Sequence, residues 1–339
     1  MPRRFIITAA AAAALAILVG VGFLAWIGTG RGLVPIDPAS PNSDDIQELY
    51  VFVGAFASAI FLVVTIPLVA FVVRFRRAGR SRDVEGPQIR GHANLELAWT
   101  IVPVLILVVI AGFTFYKLSG ITTVPEAGAA GRLAVKVEGR QFYWRYTYPN
   151  GVVAVDHLRV PVGRVVDLTI TAPKWDVVHS WWVPELGGKR DAIPGMDTST
   201  WFRATRPGTF EGRCGELCGL EHAHMETTVE AIPAGEFDTW LRDEARAQQE
   251  GESDLGRQTF EGVCAKCHGF QGEGAYAVAL RGNPTVANRR ALIATLQNGV
   301  EAGTRRMPPV GRDWNRAQTD AVVEYLQRFA GQGGTTGGG

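Results

Sequence analysis

The sequence predicts a multidomain membrane protein: apolar helices first, then an all-β sandwich, then a mostly helical unit. Three observations carry that prediction. Three apolar stretches, Phe5 to Ile27, Leu49 to Val73 and Leu97 to Leu118, each come close to the roughly 20 residues that cross a bilayer as helix. From Leu133 to Ile232 the chain breaks into short β-rich runs, such as Leu133 to Val137 and Val165 to Ile170, with Gly and Pro turn signals at 149–151, 161–163 and 206–208. From Gly235 onward the texture turns polar and helical, over Glu236 to Glu250 and then over 254–330.

The elements follow in order. The first stretch is alanine-rich and follows Pro2-Arg3-Arg4, so residues 1–30 suit either a cleaved secretory signal or an extra transmembrane helix. The next two form a helical hairpin over 46–118, with spans at 49–73 and 97–118. Their connecting loop carries Arg74, Arg76, Arg77, Arg80, Arg82 and Arg90, whereas Arg31 to Glu48 carries Asp37, Asp44, Asp45 and Glu48. Arginine-rich loops stay in the cytoplasm, which places everything after Leu118 outside. A buried core helix would also be apolar, but it would not come as one of three stretches with one-sided arginine flanks. A linker at 125–131 leads to the sandwich at 132–232, a second linker at 233–253 to the helical unit at 254–330, and the Gly/Thr tail at 331–339 is expected to be disordered. Length agrees, since 339 residues allow two or three folding units. With 34 basic against 33 acidic residues there is no basic excess of the kind nucleic acid requires.

All four cysteines lie in two clusters. The first reads Cys214-Gly-Glu-Leu-Cys218-Gly-Leu-Glu-His222-Ala-His-Met225, with His179 upstream in Trp175-Asp-Val-Val-His179-Ser-Trp-Trp. Thiolate, imidazole and thioether together form a soft donor set that favours copper, with methionine as a weak axial ligand. One copper needs one cysteine, whereas two cysteines with two histidines can bridge a pair of copper ions. A Cys214–Cys218 disulfide and a structural zinc site are the competing readings, and zinc would leave Met225 unexplained. His224 is the weakest donor candidate, better suited to solvent or a neighbouring subunit.

The second cluster, Cys264-Ala-Lys-Cys267-His268, fits the haem c attachment motif, in which both thiols bond the porphyrin and the histidine ligates iron. Methionine commonly sits opposite, and Met307 is the only one downstream of His268. Pro308 biases Met307 toward extended backbone. A redox dithiol and a core methionine are the alternatives.

Over roughly residues 46 to 232 the chain resembles cytochrome c oxidase subunit II. The likeness lies in the hairpin, the run Gln141-Phe-Tyr-Trp-Arg-Tyr-Thr-Tyr148, Asp176-Val-Val-His179-Ser-Trp and the Cys214 to Met225 loop. Residues 254 to 330 resemble a class I cytochrome c, with Gly256 to Phe260 and Ala321 to Phe329 as its terminal helices. The whole is similar to oxidase subunits that carry their own cytochrome at the C-terminus.

The resemblance implies a cupredoxin sandwich binding the binuclear copper A centre through Cys214 and Cys218 as bridges, His179, His222, Met225 and the backbone carbonyl of Glu216. It implies that the Glu216 carboxylate contacts magnesium at the interface with the catalytic subunit, against the plainer reading of a surface acid. It places Glu96 at the mouth of a proton-uptake path, although an acid there also suits the positive end of a helix. Phe142, Tyr143 and Trp144 correspond to the aromatic run where electrons enter. Members that accept electrons from soluble cytochrome c carry tryptophan where this chain has Phe142.

The implied assembly is a bacterial cell-membrane oxidase with subunits I and III, fed by a cytochrome bc complex or a cytochrome c, that reduces oxygen to water and pumps protons. This chain itself holds no oxygen-reducing site. A copper-A-containing nitric oxide reductase is the alternative. Two spanning helices argue against a free carrier, and a full copper ligand set argues against a quinol-oxidising relative.

Overall fold

The computed structural model describes residues 37–75, 88, 90–126, 131–302 and 305–330. The stretch Phe5 to Ile27, most of the arginine loop, four residues of the first linker and the C-terminal tail lie outside the described residues. The chain divides into two compact units, a helical one over residues 44–121 and a second built from residues 39–43 and 122 onward.

In the helical unit α1 spans Pro41–Phe75 and α2 spans Ala93–Thr122, both longer than the apolar stretches because polar turns extend them. Each has a long apolar window with none of it buried in protein, so its side chains suit lipid. Phe52 packs on Phe113 at 4.2 Å between ring centroids. Lys117 on α2 pairs with Asp45 and Glu48 on α1 at 2.8 and 2.6 Å. Pro67 and Pro103 lie within these helices, which membrane helices tolerate.

The second unit opens with a sandwich of two five-stranded sheets. Its strands are β1 (Arg132–Arg140), β2 (Tyr143–Thr147), β3 (Val153–Val155), β4 (His157–Pro161), β5 (Val165–Thr171), β6 (His179–Trp182), β7 (Arg190–Ala192), β8 (Thr198–Phe202), β9 (Gly208–Cys214) and β10 (Glu226–Ile232). One sheet runs β3-β2-β1-β5-β8 and the other β4-β10-β9-β6-β7. Strand β9 shows the expected period of two, with Phe210, Gly212 and Cys214 turned inward and their neighbours outward. The core between the sheets includes Val137, Trp144, Leu158, Leu168, Trp181, Phe202 and Phe210.

The segment expected as the second linker is not one. It forms α3, Ala234–Glu250, whose Phe237 is fully buried in the sandwich core with Trp240, Leu241 and Ala245 packed alongside. Those four residues recur at helical spacing and form one apolar stripe along an otherwise polar helix. Gln248 extends the stripe by bonding Val153 at both its N–H and its C=O. Burying a phenylalanine stabilises by about 1.5–3 kcal/mol, enough to fix the helix on the sandwich.

The C-terminal part holds α4 (Leu255–Thr259), a single π-helical turn Phe260–Cys264, α5 (Ala265–His268), α6 (Pro284–Ala287), α7 (Arg289–Asn298), a hairpin of β11 (Val300–Ala302) and β12 (Arg305–Met307), and α8 (Arg316–Ala330). Helices α4 and α8 cross at Gly256, where a Cβ would stand 2.3 Å from the carbonyl oxygen of Ala321. Only glycine permits that crossing. Met307 closes β12 and is followed by Pro308, in the extended conformation the sequence predicts.

Candidate metal and haem sites

Two adjacent strands bring the first donors together. In the antiparallel pair β6 and β9, Trp181 faces Cys214, so His179, two residues back along β6, shares that face and approaches Cys214 diagonally. The loop after β9 then folds back over them. Cys214 Sγ lies 4.0 Å from Cys218 Sγ and 3.2 Å from the Glu216 carbonyl oxygen. Cys218 Sγ lies 3.6 Å from His222 Nδ1 and 3.8 Å from Met225 Sδ. One atom each from His179, Cys214 and Cys218 falls within 4.8 Å of the others, and all three residues are buried. The cysteines are free thiols.

The orientation of His179 tests whether a metal fits. Its Nε2 donates to Asp176 Oδ1 at 3.1 Å, while Nδ1 is buried with no hydrogen-bond partner among the described residues. A buried ring nitrogen without a partner is costly unless something occupies its lone pair, and the ring lies within reach of the Cys214 and Cys218 sulfurs. The residues therefore fit copper. Burial, the strongest influence on His179, works against its charged form, but Asp176 and Cys214 outweigh it and raise its pKa. Within the thiol pair, contact with Cys218 holds Cys214 well below the ordinary thiol range, while Cys218 itself is pushed up by Cys214 and by burial.

The other predicted residues sort clearly. The Glu216 carboxylate is half-exposed and paired with Lys189 at 3.0 Å, so only its carbonyl belongs to the sulfur cluster. His224 is exposed and bonded to Glu221 at 2.7 Å, away from the donors. Glu96 accepts a hydrogen bond from the His92 backbone N–H at 2.9 Å and so caps the first turn of α2.

In the C-terminal part, His268 donates from Nδ1 to the Val278 carbonyl at 2.7 Å, which leaves Nε2 for iron. Burial pushes the Cys264 thiol up to about 12, and burial also raises Cys267. A reactive Cys-x-x-Cys pair would call for the opposite shift. Phe270, Tyr276 and Val278 stand exposed around the motif, an apolar surface that a haem fits. Met307, half-buried, packs against the small core that contains Cys264.

Sequence reasoning missed several supporting residues. Asp176, nearly fully buried, accepts from His179 Nε2, from Val177 N at 2.7 Å and from Gln141 N at 3.2 Å. Its place three residues before His179 was the available signal. Gly139 gives His179 its room, since a Cβ there would lie 2.9 Å from the histidine Cβ. Gln141 donates to the Cys218 carbonyl at 2.6 Å. Such through-space contacts leave no mark on spacing.

Fold and sites together define a membrane-anchored cupredoxin that carries a cytochrome c. Family models agree along the chain: cytochrome c oxidase subunit II, transmembrane domain, over residues 29–116; its periplasmic domain over 151–232; and cytochrome c oxidase, cbb3-type, subunit III, over 251–326. Cytochrome c oxidase subunit 2 of Alkalihalophilus pseudofirmus is 31% identical over 320 residues, covering 88% of this chain and 91% of that protein. Cytochrome c oxidase subunit 2 of Cereibacter sphaeroides is 33% identical over 251 residues, 62% of this chain and 79% of that protein. The crystal structure of the periplasmic domain of subunit II of cytochrome oxidase of Bradyrhizobium japonicum aligns at 33% identity and a TM-score of 0.34, covering 37% of this chain and 98% of that one. The chain belongs to the cytochrome c oxidase subunit 2 family, as a haem–copper oxidase subunit with a fused cytochrome c domain. Its periplasmic domain type implies copper A, its cytochrome domain implies haem c, and its complex implies a subunit I.

Proposed function

We propose that this chain takes electrons from an external donor at its cytochrome domain and delivers them through its copper loop to subunit I, which reduces oxygen to water and pumps protons. The donor class is a cytochrome bc complex or another cytochrome, and both sites lie on the outer side of the bacterial membrane, with subunit III completing the assembly. When bound, the copper pair and the haem supply one-electron exchange with no bond made or broken in the chain.

Cys214, Cys218, His179, His222, Met225 Sδ and the Glu216 carbonyl would hold the copper pair. The observation that carries this reading is the buried cluster of His179, Cys214 and Cys218, in which His179 Nδ1 has no hydrogen-bond partner among the described residues. Asp176 fixes the ring so that this nitrogen faces the cluster. Cys264 and Cys267 would hold the haem covalently, with His268 Nε2 and Met307 Sδ as the donors to its iron.

Leu217 and Leu220, about 80% exposed at the loop tip (79% and 84%), offer an apolar contact for subunit I. Magnesium at Glu216 gains no support, because Lys189 already neutralises that carboxylate. Proton uptake at Glu96 likewise rests only on its position, since its carboxylate caps a helix. Family membership favours oxygen over nitric oxide as the final acceptor.

The test is Cys218→Ser in the intact oxidase, supplied with reductant in air. The haem of the variant should stay reduced and oxygen uptake should fall to background. Reoxidation at the unmodified rate would refute the route.

A further inference from the structure

The residues that support the copper donors are also the residues that hold the cytochrome. Gln141 bonds Asp176 through its backbone N–H and the Cys218 carbonyl through its side chain, and so touches the support of two copper donors. The next residue, Phe142, offers its carbonyl to Lys266 Nζ at 2.9 Å, and Lys266 stands between the two haem cysteines. The same ammonium pairs with Asp156 Oδ2 at 2.9 Å, largely out of solvent, while Asp156 Oδ1 accepts from the Trp144 backbone N–H at 2.6 Å. Tyr143 faces the cytochrome side: it is fully buried in that core, donates to the Val310 carbonyl at 3.0 Å and accepts from Trp314 Nε1 at 2.8 Å. Val310 lies three residues beyond Met307. Two consecutive residues of the copper domain thus grip both sides of the haem-binding machinery, the cysteine motif through Phe142 and the methionine loop through Tyr143.

We propose that Lys266, paired with Asp156, is a positioning residue that seats the cytochrome domain in one fixed pose over Gln141, Phe142 and Tyr143. This rests on the electron route proposed above and adds its geometry. A lysine inside the attachment motif ties the haem's own segment directly to the Gln141 to Cys218 contact, so the two sites need no diffusional search. The seat also occupies the aromatic strand, so a second cytochrome cannot dock there. No covalent step is involved.

The test uses the intact oxidase with Lys266→Met, Lys266→Arg and Asp156→Asn, the last retaining an oxygen for Trp144 N–H. Two quantities are read: hydroxyl-radical modification of Tyr143, and the rate of haem-to-copper electron transfer after photoreduction of the haem. In Lys266→Met and Asp156→Asn, Tyr143 modification should rise on the order of tenfold as the seat opens more often, and transfer should slow, with haem and copper spectra unchanged. Lys266→Arg, which keeps the donors, should match the unmodified protein in both. Tyr143 equally protected in all variants, or exposed without any slowing, would overturn the proposal. If Lys266→Met fails to attach haem, Asp156→Asn decides alone. Absence of haem-to-copper transfer in the unmodified oxidase would instead refute the electron route, a separate outcome.

Discussion

The copper loop and the haem motif solve the problem of holding a redox centre in opposite ways. At the copper loop, sulfur, imidazole and thioether donors converge within about 4 Å of Cys218 (4.0, 3.6 and 3.8 Å), beside a two-sheet core. At the haem motif the ligands sit on short helices and a three-residue strand, beside exposed Phe270 and Tyr276. A large apolar cofactor then becomes part of the core it binds to. A small metal is thus gripped by one loop and one strand of a sandwich, whereas a haem lies against short helices and exposed apolar side chains.

That contrast can be broken or sharpened by experiment. The largest effect is expected from Cys264→Ala with Cys267→Ala, which removes covalent haem. A ligand that binds only the folded state stabilises it, so limited proteolysis should digest residues 254–330 while the sandwich resists and keeps its copper spectrum. Equal resistance of both parts would erase the distinction. Next comes Asp176→Asn, which keeps the shape but loses the charge that orients His179. Supporting groups of this kind typically contribute 10–100-fold in metal affinity, so copper retention against a chelator should drop by roughly that factor, with the haem spectrum untouched.

A smaller effect is expected at the edge of the sandwich, where Glu230 pairs with Arg159 at 2.6 Å and His157 at 3.2 Å. Burial opposes ionisation of Glu230, but Arg159 and His157 outweigh it and hold its pKa below the usual 4.5. A depressed acid stabilises above its unfolded pKa and loses that contribution as pH falls through the folded value. The sandwich should therefore lose about 0.2–1 kcal/mol below pH ~4.5, and Glu230→Gln should remove that dependence in acid unfolding curves. The smallest effect is Phe142→Trp. With the cytochrome domain seated on this strand, turnover with soluble donors should not change. A gain with soluble cytochrome c would show that the strand is open to a second carrier.

Much of the site was legible in the sequence for a physical reason. Cys214, Cys218, His222 and Met225 lie on one loop, where spacing in sequence is nearly spacing in space, and Cys264 to His268 is a single helical turn. Met307 was reachable by scarcity, being one of four methionines. What escaped depends on folding distant segments together. Gly139 and Gln141 act on copper donors from a distant strand and the turn after it, and Lys266 acts on a different domain, whereas Asp176 lies only three residues before His179. Helix α3 is legible as a polar helix, but its charged composition masks the four-residue apolar stripe that packs it on the sandwich core. Glu96 stood between two roles at a helix start, and the capping bond to His92 favours the local one.

The central claim is that one chain carries a binuclear copper centre beside a single covalent haem. It is tested most directly by copper and haem analysis of the purified protein, together with its optical and paramagnetic resonance spectra in the oxidised form. The account predicts two coppers per haem and a mixed-valence signal shared over both metals, lost in Cys218→Ser. One copper per haem, or zinc in its place with the haem intact, would contradict it.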